Sequence, residues 1–387
     1  MTTARVTRRT ALVALTSALV APTLAVTLAS TGRAASGDTA STSGLGSDGQ
    51  LGNGSTGSRR SFGPVSNLLN VDDVAGGREH VLARVNGTVW SWGDGSKGAT
   101  GLGTTADRTT PHQVPGLTGV IDIAAGHYHS LALLGNGTVR SWGFNALGQL
   151  GDGTVTRRTS PVTVKNLSNV AGLAAGRDMS YALLADGTLR SWGGGANGEL
   201  GNGTQTTRQL TPVRVSGLST VTQLAGGRNH AIAVLANGTV WTWGLNTSGQ
   251  LGNGTRNLRT TPVQVAGLSN IIDVAAGADH SVALRADGRV FTWGEGSSGQ
   301  LGSGGTADRL TPAPVSGLPS ITSIGCGRDH TLAVAAGGQL WAWGQNDFGQ
   351  LGDGTITRRL SPIQVPGVGN AVEAHGGRGY TVVHRTP

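Results

Sequence analysis

The sequence is short of the residues that most often cross-link a chain or carry its chemistry. Its 387 residues include one cysteine, Cys326, so no disulfide can form within the chain and stability must come from elsewhere. Charged residues are only 13% of the total. No Gly-Lys-Ser/Thr phosphate loop, Gly-x-Ser-x-Gly nucleophile elbow or zinc-type cysteine cluster occurs, so the positive case for an enzyme is absent. Helical periodicity is missing too, which argues against a helical class of fold.

Acidic residues are also missing from the beginning: none precedes Asp38. There, Thr7-Arg8-Arg9-Thr10 leads into a weakly polar apolar run from Ala11 to Ala29, and Gly32-Arg33-Ala34 puts small residues around a cleavage point. This resembles a twin-arginine export signal over residues 1–35. A membrane anchor is the alternative, but the Thr, Ser and Pro within the run make it a mediocre span. The reading implies a secreted or cell-envelope protein with no membrane span after cleavage. Residues 1–35 carry four Arg, so the formal charge falls from +8 to +4 without them, too little to expect nucleic-acid binding.

What the chain has is glycine, 66 residues of it, and the glycine is periodic. Trp-Gly recurs at Trp92, Trp142, Trp192, Trp243, Trp293 and Trp343, at spacings of 50, 50, 51, 50 and 50. A leucine in a Gly-Gln-Leu-Gly phrase is placed at Leu51, Leu102, Leu150, Leu200, Leu251, Leu301 and Leu351, with "GATGLG" (98–103) as the loosest copy. A third phrase is marked by Gly77, Gly126, Gly176, Gly227, Gly277, Gly327 and Gly377. Within a unit, "VIDIAAG", "HSLALL" and "TVRSWG" read as strands, and Asn-Gly or its variants at 86, 136, 186, 237, 287 and 337 read as two-residue hairpin turns whose central residues need positive φ. A Pro-Val-x-Val phrase, as at Pro161, Pro212, Pro262 and Pro362, adds a fourth strand, expected to begin at the proline.

Four antiparallel strands every 50 residues describe the blade of a β-propeller. On these phrases, residues 39–385 resemble the regulator of chromosome condensation repeat family, and the resemblance implies an all-β, seven-bladed propeller. Residues 36–387 then form one domain: a closing strand and loop over 39–61, six full repeats over 62–361, and C-terminal strands over 362–385. The seventh blade is expected to take one strand from residues 39–44, with Ser43 in place of Trp, and three from the C-terminus, at 362–365, 371–376 and 380–385.

Five histidines share one register, His80, His129, His230, His280 and His330, with Met179 and Tyr380 in the other units. Zinc ligands converge within roughly 2.3 Å of one point, and one His per blade does not converge. Each is therefore read, like the Trp series, as structural, bonded to a backbone group in its own blade. No metal or cofactor is expected. Asp-Gly and Asn-Gly-Thr phrases are explained by turn chemistry. An Arg lies shortly before each strand-initiating Pro, at Arg59, Arg108, Arg158, Arg208, Arg259, Arg309 and Arg359 among others. Such an array could bind polyanions, but tying together its own loops is the favoured role.

Strand parity places the loops after Ala-Ala-Gly and after Trp-Gly on one face. That face carries the variation: Arg78-Glu79, His127-Tyr128, Arg177-Asp178, Arg228-Asn229, Ala278-Asp279, Arg328-Asp329 and Arg378-Gly379 in one ring, with Asp94, Lys97, Phe144, Leu147, Asn197, Asn246, Glu295 and Asn346 to Phe348 in a second. Tyr128, Phe144, Leu147 and Phe348 are the expected exposed apolar anchors, with the Arg–acid pairs as a polar rim. The favoured function is a monomeric, exported, non-enzymatic scaffold for an unidentified protein or cell-envelope ligand. The resemblance also implies guanine-nucleotide exchange, the activity of the family's nuclear namesake, but the even spacing leaves no room for an inserted wedge and export would remove the chain from cytosolic GTPases. Some similar bacterial propellers inhibit β-lactamases through the loop face; the loops here are less aromatic and the repeat longer.

Overall fold

The alternating apolar phrases form strands in the positions that their periodicity predicts. In the computed structural model, which describes residues 37–387, the phrases of one unit give Val120–Ala125, His129–Leu134, Val139–Gly143 and Arg158–Thr163. These pair in that order as one antiparallel sheet. The residues expected to form the export signal lie outside the described region. Among the described residues there are seven such four-stranded sheets, and their innermost strands contact one another in sequence around a closed ring, Ala371–Gly376 meeting Val71–Gly76 to complete it. The chain is a seven-bladed β-propeller. Blades I to VI run in order from Val71 to Gln364, and blade VII is assembled from both ends.

The closing blade corrects the expected division of strands. Its order is Arg59–Leu69, Thr39–Gly44, Tyr380–Arg385, Ala371–Gly376, so two strands come from each end rather than one and three. The Pro-containing strand Arg359–Gln364 belongs to blade VI, because it pairs with the Trp-bearing strand that precedes it, Leu340–Gly344. The proline phrase thus ends a blade rather than beginning one. Nor does the proline start its strand: Pro161 falls inside Arg158–Thr163, where the pairing of Arg158 with Gly143 and of Val162 with Ser141 is interrupted. An irregular edge strand is where a missing N–H does least harm.

The hairpin turns split into two kinds. At Asn86-Gly87 both central residues have positive φ, 47° and 75°, the two-residue turn that the sequence suggests. The remaining units have one residue more before the turn, and there the glycine alone takes positive φ, as at Gly137 (76°). The asparagine becomes a local acceptor instead: Asn136 Oδ1 receives the Thr138 amide at 3.1 Å and hydroxyl at 2.7 Å. One inserted residue therefore changes what Asn does in an otherwise repeated phrase.

Each joint between blades is organised around one backbone carbonyl. Gln149 O, in the loop of blade II, accepts Trp192 Nε1 at 2.9 Å and Ser180 Oγ at 2.8 Å from blade III. The His129 Nε2 of blade II meets that same Ser180 Oγ at 2.9 Å. Because the serine proton goes to the carbonyl, the imidazole is the donor, which fixes its Nε2–H tautomer. Equivalent contacts link His80 to Ser130, His230 to Ser281, His280 to Thr331 and His330 to Thr381. The histidines thus bond across to the next blade's hydroxyl, not to a backbone group of their own blade. Among the described residues no group of three or more potential ligands is placed to hold a metal.

Departures from the pattern are compensated locally. Where Met179 replaces His and Ala231 replaces Ser, Tyr181 supplies the missing proton, its hydroxyl donating to Glu199 O at 2.8 Å; Trp243 Nε1 donates to the same oxygen. Tyr380 reaches Gly77 O and His80 O. In "GATGLG" the structural register is two residues off the expected one: Trp142 Nε1 bonds Ala99 O and the fully buried Thr100 occupies the leucine position, while Leu102 packs at the side of the same cluster. At the closing joint the two roles of Trp are divided. Ser43 Oγ donates to Gln350 O at 3.3 Å, and the Phe62 ring lies against Gly352, where an added Cβ would be 2.3 Å from Cε2. At Gly302 the same space is taken by the Trp343 indole, 2.9 Å from such a Cβ.

All six Trp of the repeat are fully buried, each removing on the order of 200 Å² from water, or about 5 kcal/mol of transfer free energy as an upper bound. Leu200 shows how a joint fills: it packs with Tyr181 and Leu189 of its own blade and with Ala231 and Trp243 of the next.

Two outcomes follow for stability. Phe62→Ala should cost on the order of 2 kcal/mol by opening the closing joint, and a chain starting at Gly57, which lacks Thr39–Gly44, should melt several degrees lower or aggregate; unchanged melting of both would refute the two-plus-two closure. Burial holds the joint histidines neutral, moving them from 6.5 to about 4 for His80, His230 and His330 and to about 3 for His129 and His280. The unfolded chain binds these protons first, so their contribution is intact above pH 6.5 and is lost as pH falls through about 4 for His80, His230 and His330 and on through about 3 for His129 and His280. Thermal melts should show that decline, with a shallower slope in H129M/L131Y/S180A, which copies the Met179–Tyr181–Ala231 set.

Candidate functional site

The loops after Ala-Ala-Gly come together around the axis because their backbones are bonded in a circle. The Arg78 amide donates to His127 O, His127 to Arg177 O, Arg177 to Gly227 O, Arg228 to Ala278 O, Ala278 to Arg328 O, Arg328 to Gly377 O and Arg378 to Arg78 O, at 2.8 to 3.3 Å. Seven donors run in one direction and close on themselves. Since these amides are already paired, recognition at the axis falls to side chains.

The side chains of this belt form two layers. Arg177 meets Asp178 at 2.9 Å, Arg228 meets Asp279 at 3.6 Å, and Arg328 meets Asp329 at 3.2 Å. Arg78 and Arg378 share Glu79, at 3.9 and 3.0 Å. The four carboxylate side chains are only 13–16% exposed, whereas the five guanidinium-bearing side chains are 29–45% exposed. A molecule approaching along the axis therefore meets arginine, with the acids beneath.

The two sides of the ring differ in field. His127 is held down to about 3, first by burial and then by Arg78, Arg177 and Arg228. Asp329 is pushed up to about 6, first by burial, with Glu295 and Asp279 adding to the rise against the pull of Arg328. Burial also raises Asp178 and Asp279.

The expected site residues are brought together on this face, but not in the form expected. Tyr128 lies under Arg78, whose Cζ is 5.1 Å from the ring centroid and whose guanidinium also donates to the phenol oxygen. Phe348 occupies the space over Gly379, and Leu147 approaches Gly194. With Phe144 they are all half-buried, so the exposed anchors of the sequence reading are in fact partly used in packing loop against loop. Asn246 and Asn346 are not variable contact residues at all. Both are fully buried, as is Asn145, and each pins its loop from inside. Asn246 Nδ2 donates to Thr255 O and Asn257 O at 2.9 and 3.0 Å while its Oδ1 accepts the Leu251 amide at 2.9 Å.

Loops that lack this Asn have glycine in its place and a different staple, the Gly95 and Gly296 amides donating to Asp107 and Asp308 at 2.9 and 3.1 Å. Four of the interblade arginines, in blades II and VI, tie these loops. Arg158 pairs with Asp152 and Arg359 with Asp353 at 2.9 and 2.6 Å, and Arg358 reaches back to Ser297 O at 2.8 Å. The sequence places Arg378 and Asn229 in this ring but does not reveal the shared Glu79 or the Glu199–Asn229 pair, bonded at 2.8 Å. The latter exchanges the roles of Gln250 and Asp279, bonded at 3.0 Å in the next unit; the paired swap of amide and acid was the available signal.

A closed ring of seven four-stranded blades defines the class of this chain as a seven-bladed β-propeller. The regulator of chromosome condensation (RCC1) repeat matches residues 86–133, 136–183, 186–234, 237–284, 287–334 and 337–384, and a second RCC1 repeat description matches four segments between 120 and 350. The chain belongs to the RCC1 repeat family. Each of the six segments of the first match begins at a hairpin turn, so it covers the outer half of one blade and the inner half of the next. Among solved structures, Prp20p of Saccharomyces cerevisiae, described with its binding properties to Gsp1p and histones, is 26% identical, with a TM-score of 0.82 over 90% of this chain and 92% of that one. Yeast RCC1 (Prp20) bound to Kap60 is 24% identical, covers 99% of this chain and 96% of its own, and has a TM-score of 0.83. Human WBSCR16 is 24% identical, with a TM-score of 0.80, covering 90% and 99%. Among the described residues no helix is long and apolar enough to cross a membrane.

Asn246→Ala should leave the fold intact but cost on the order of 2 kcal/mol and raise hydrogen exchange in residues 245–257. Unchanged exchange there would show that the loop is not held by this side chain.

Proposed function

We propose that the chain is an exported, non-enzymatic scaffold that binds a protein or cell-envelope ligand through its loop face. The observation that carries this is the circular backbone belt: it fixes seven loops at one end of the axis while leaving their side chains free to differ, so little ordering is required on binding. The likeness to Prp20p, whose description names protein partners, supports a protein as the ligand. Guanine-nucleotide exchange has less support, because every named strand among the described residues belongs to one of the seven blades and no additional element is available as a wedge. Inhibition of a secreted enzyme such as a β-lactamase is one form that the scaffold reading could take. Export rests on the Arg8-Arg9 segment alone.

The test uses the mature protein as bait in culture supernatant or envelope extract. Ala at Tyr128, Phe144, Leu147 and Phe348 should weaken capture of the recovered ligand, and Asn136→Lys or Asn237→Lys in the Asn-Gly turns should not. Loss confined to the turn variants would move the site to the opposite face. In parallel, R8K/R9K should retain the protein in the cytoplasmic fraction; undiminished export would rule out the twin-arginine route.

A further inference from the structure

We infer that the Arg78–Arg378 sector of the loop face is a carboxylate receptor, and that its occupant is an acidic segment of a protein partner in which Asp or Glu alternates with apolar side chains. The inference rests on the loop-face reading above and deepens it.

Around the belt, the position after each axial residue carries an acid in blades I, III, V and VI, but Tyr128 stands there in blade II and Gly379 in blade VII. Both blades flanking Glu79 thus lack a carboxylate at this level. Arg78 and Arg378 are left to share Glu79, while Arg177, Arg228 and Arg328 each have an acid of their own. Asp94 does not make good the difference, because it is nearly buried and its Oδ1 is committed to the Ser96 amide at 2.7 Å; Lys97 follows in the same loop. On the far side Asp279, Asp329 and Glu295 face Arg228 and Arg328. The ring is therefore cationic at blades VII to II and acidic at V and VI; after burial, which is the larger cause in both, Arg78 is among the groups that lower His127, and Glu295 and Asp279 are those that raise Asp329.

Two guanidiniums converging on one carboxylate have donors to spare, and charge-assisted N–H···O bonds to a second carboxylate are the strongest complement for them. Beside them lie the half-buried Tyr128 and Phe144, whose backbones are joined by the Phe144 amide to Tyr128 O at 2.8 Å. An apolar side chain next to the carboxylate suits that surface, as a peptide provides and a polyuronic acid does not.

Fluorescence anisotropy with a labelled peptide alternating Glu and Leu, against its Gln–Leu counterpart, tests this on the mature chain. The Glu peptide should bind and the Gln peptide should not. Arg78→Gln or Arg378→Gln should weaken binding about tenfold, and Arg285→Gln, on a strand ending at the opposite face, should leave it unchanged. Glu79→Gln should tighten binding several-fold by removing the internal competitor, a gain that a misfolded variant could not produce. Equal binding of the two peptides, undiminished binding by both Arg variants, or polygalacturonate binding in place of the peptide would overturn the inference. If those results came while Phe144→Ala and Leu147→Ala still abolished capture of the natural ligand, the scaffold reading would stand and the acidic-segment inference alone would fall.

Discussion

One buried carbonyl per joint governs this molecule. At Gln50, Ala99, Gln149, Glu199, Gln250, Gln300 and Gln350 the backbone oxygen of one blade's loop accepts a proton from an indole or hydroxyl of the next. A carbonyl in so apolar a setting would be costly if left unpaired, so each unit must place a donor opposite it. This constraint explains the Trp of the third strand, the Ser or Thr that follows His in the second, and the glycines that leave room for rings. A Cβ on Gly77 would lie 2.2 Å from His80 Cε1. It also explains why substitutions occur in sets. Met179, Tyr181 and Ala231 depart from the pattern together because the proton lost with the serine is returned by the tyrosine.

The same constraint ties neighbouring blades more tightly than a stack of separate sheets would be. The chain leaves each blade from its outer strand and enters the next at its inner strand, while the sequence phrases straddle that step. Closing the ring with two strands from each end repeats this arrangement at the seventh joint, where Ser43 and Phe62 perform between them what a single Trp does elsewhere. A frame locked at every joint lets the loop face vary without loss of position. The Asn145, Asn246 and Asn346 pins and the Gly95 and Gly296 staples then hold each variable loop by whichever device its sequence allows.

The axial belt converts that rigidity into a surface. By using its own amides it leaves arginine side chains as the outer layer and carboxylates below, so the near balance of charge in the ring conceals a contact layer of one sign. At this level an acid is absent at Tyr128, Asn229 and Gly379; Asn229 is paired with Glu199, whereas Tyr128 and Gly379 flank Glu79 and leave that sector with arginine in excess. A small change of sequence at a fixed place on the frame is therefore enough to give the face a direction.

By itself, the sequence determined the all-β class, the number of blades, the structural standing of the repeated Trp and His, and the face on which variation gathers, because strand periodicity and turn glycine are local and repeat seven times or nearly so; that the His bond across the joints it did not determine. It did not determine which strands share a blade. The proline phrase sits midway between two sheets in sequence, and only hydrogen bonding to the preceding Trp strand assigns it. Exposure was likewise undecidable: Asn246 and Phe348 read as loop-tip residues until packing buried the one inside its own loop and laid the other over Gly379. The register of "GATGLG" failed for a related reason, since leucine was the visible marker but the carbonyl of Ala99 was the constrained group, and a backbone oxygen has no letter in the sequence. The belt, the shared Glu79 and the layered charges depend on residues roughly 50 or 300 positions apart, and only closure of the ring brought them within reach of one another.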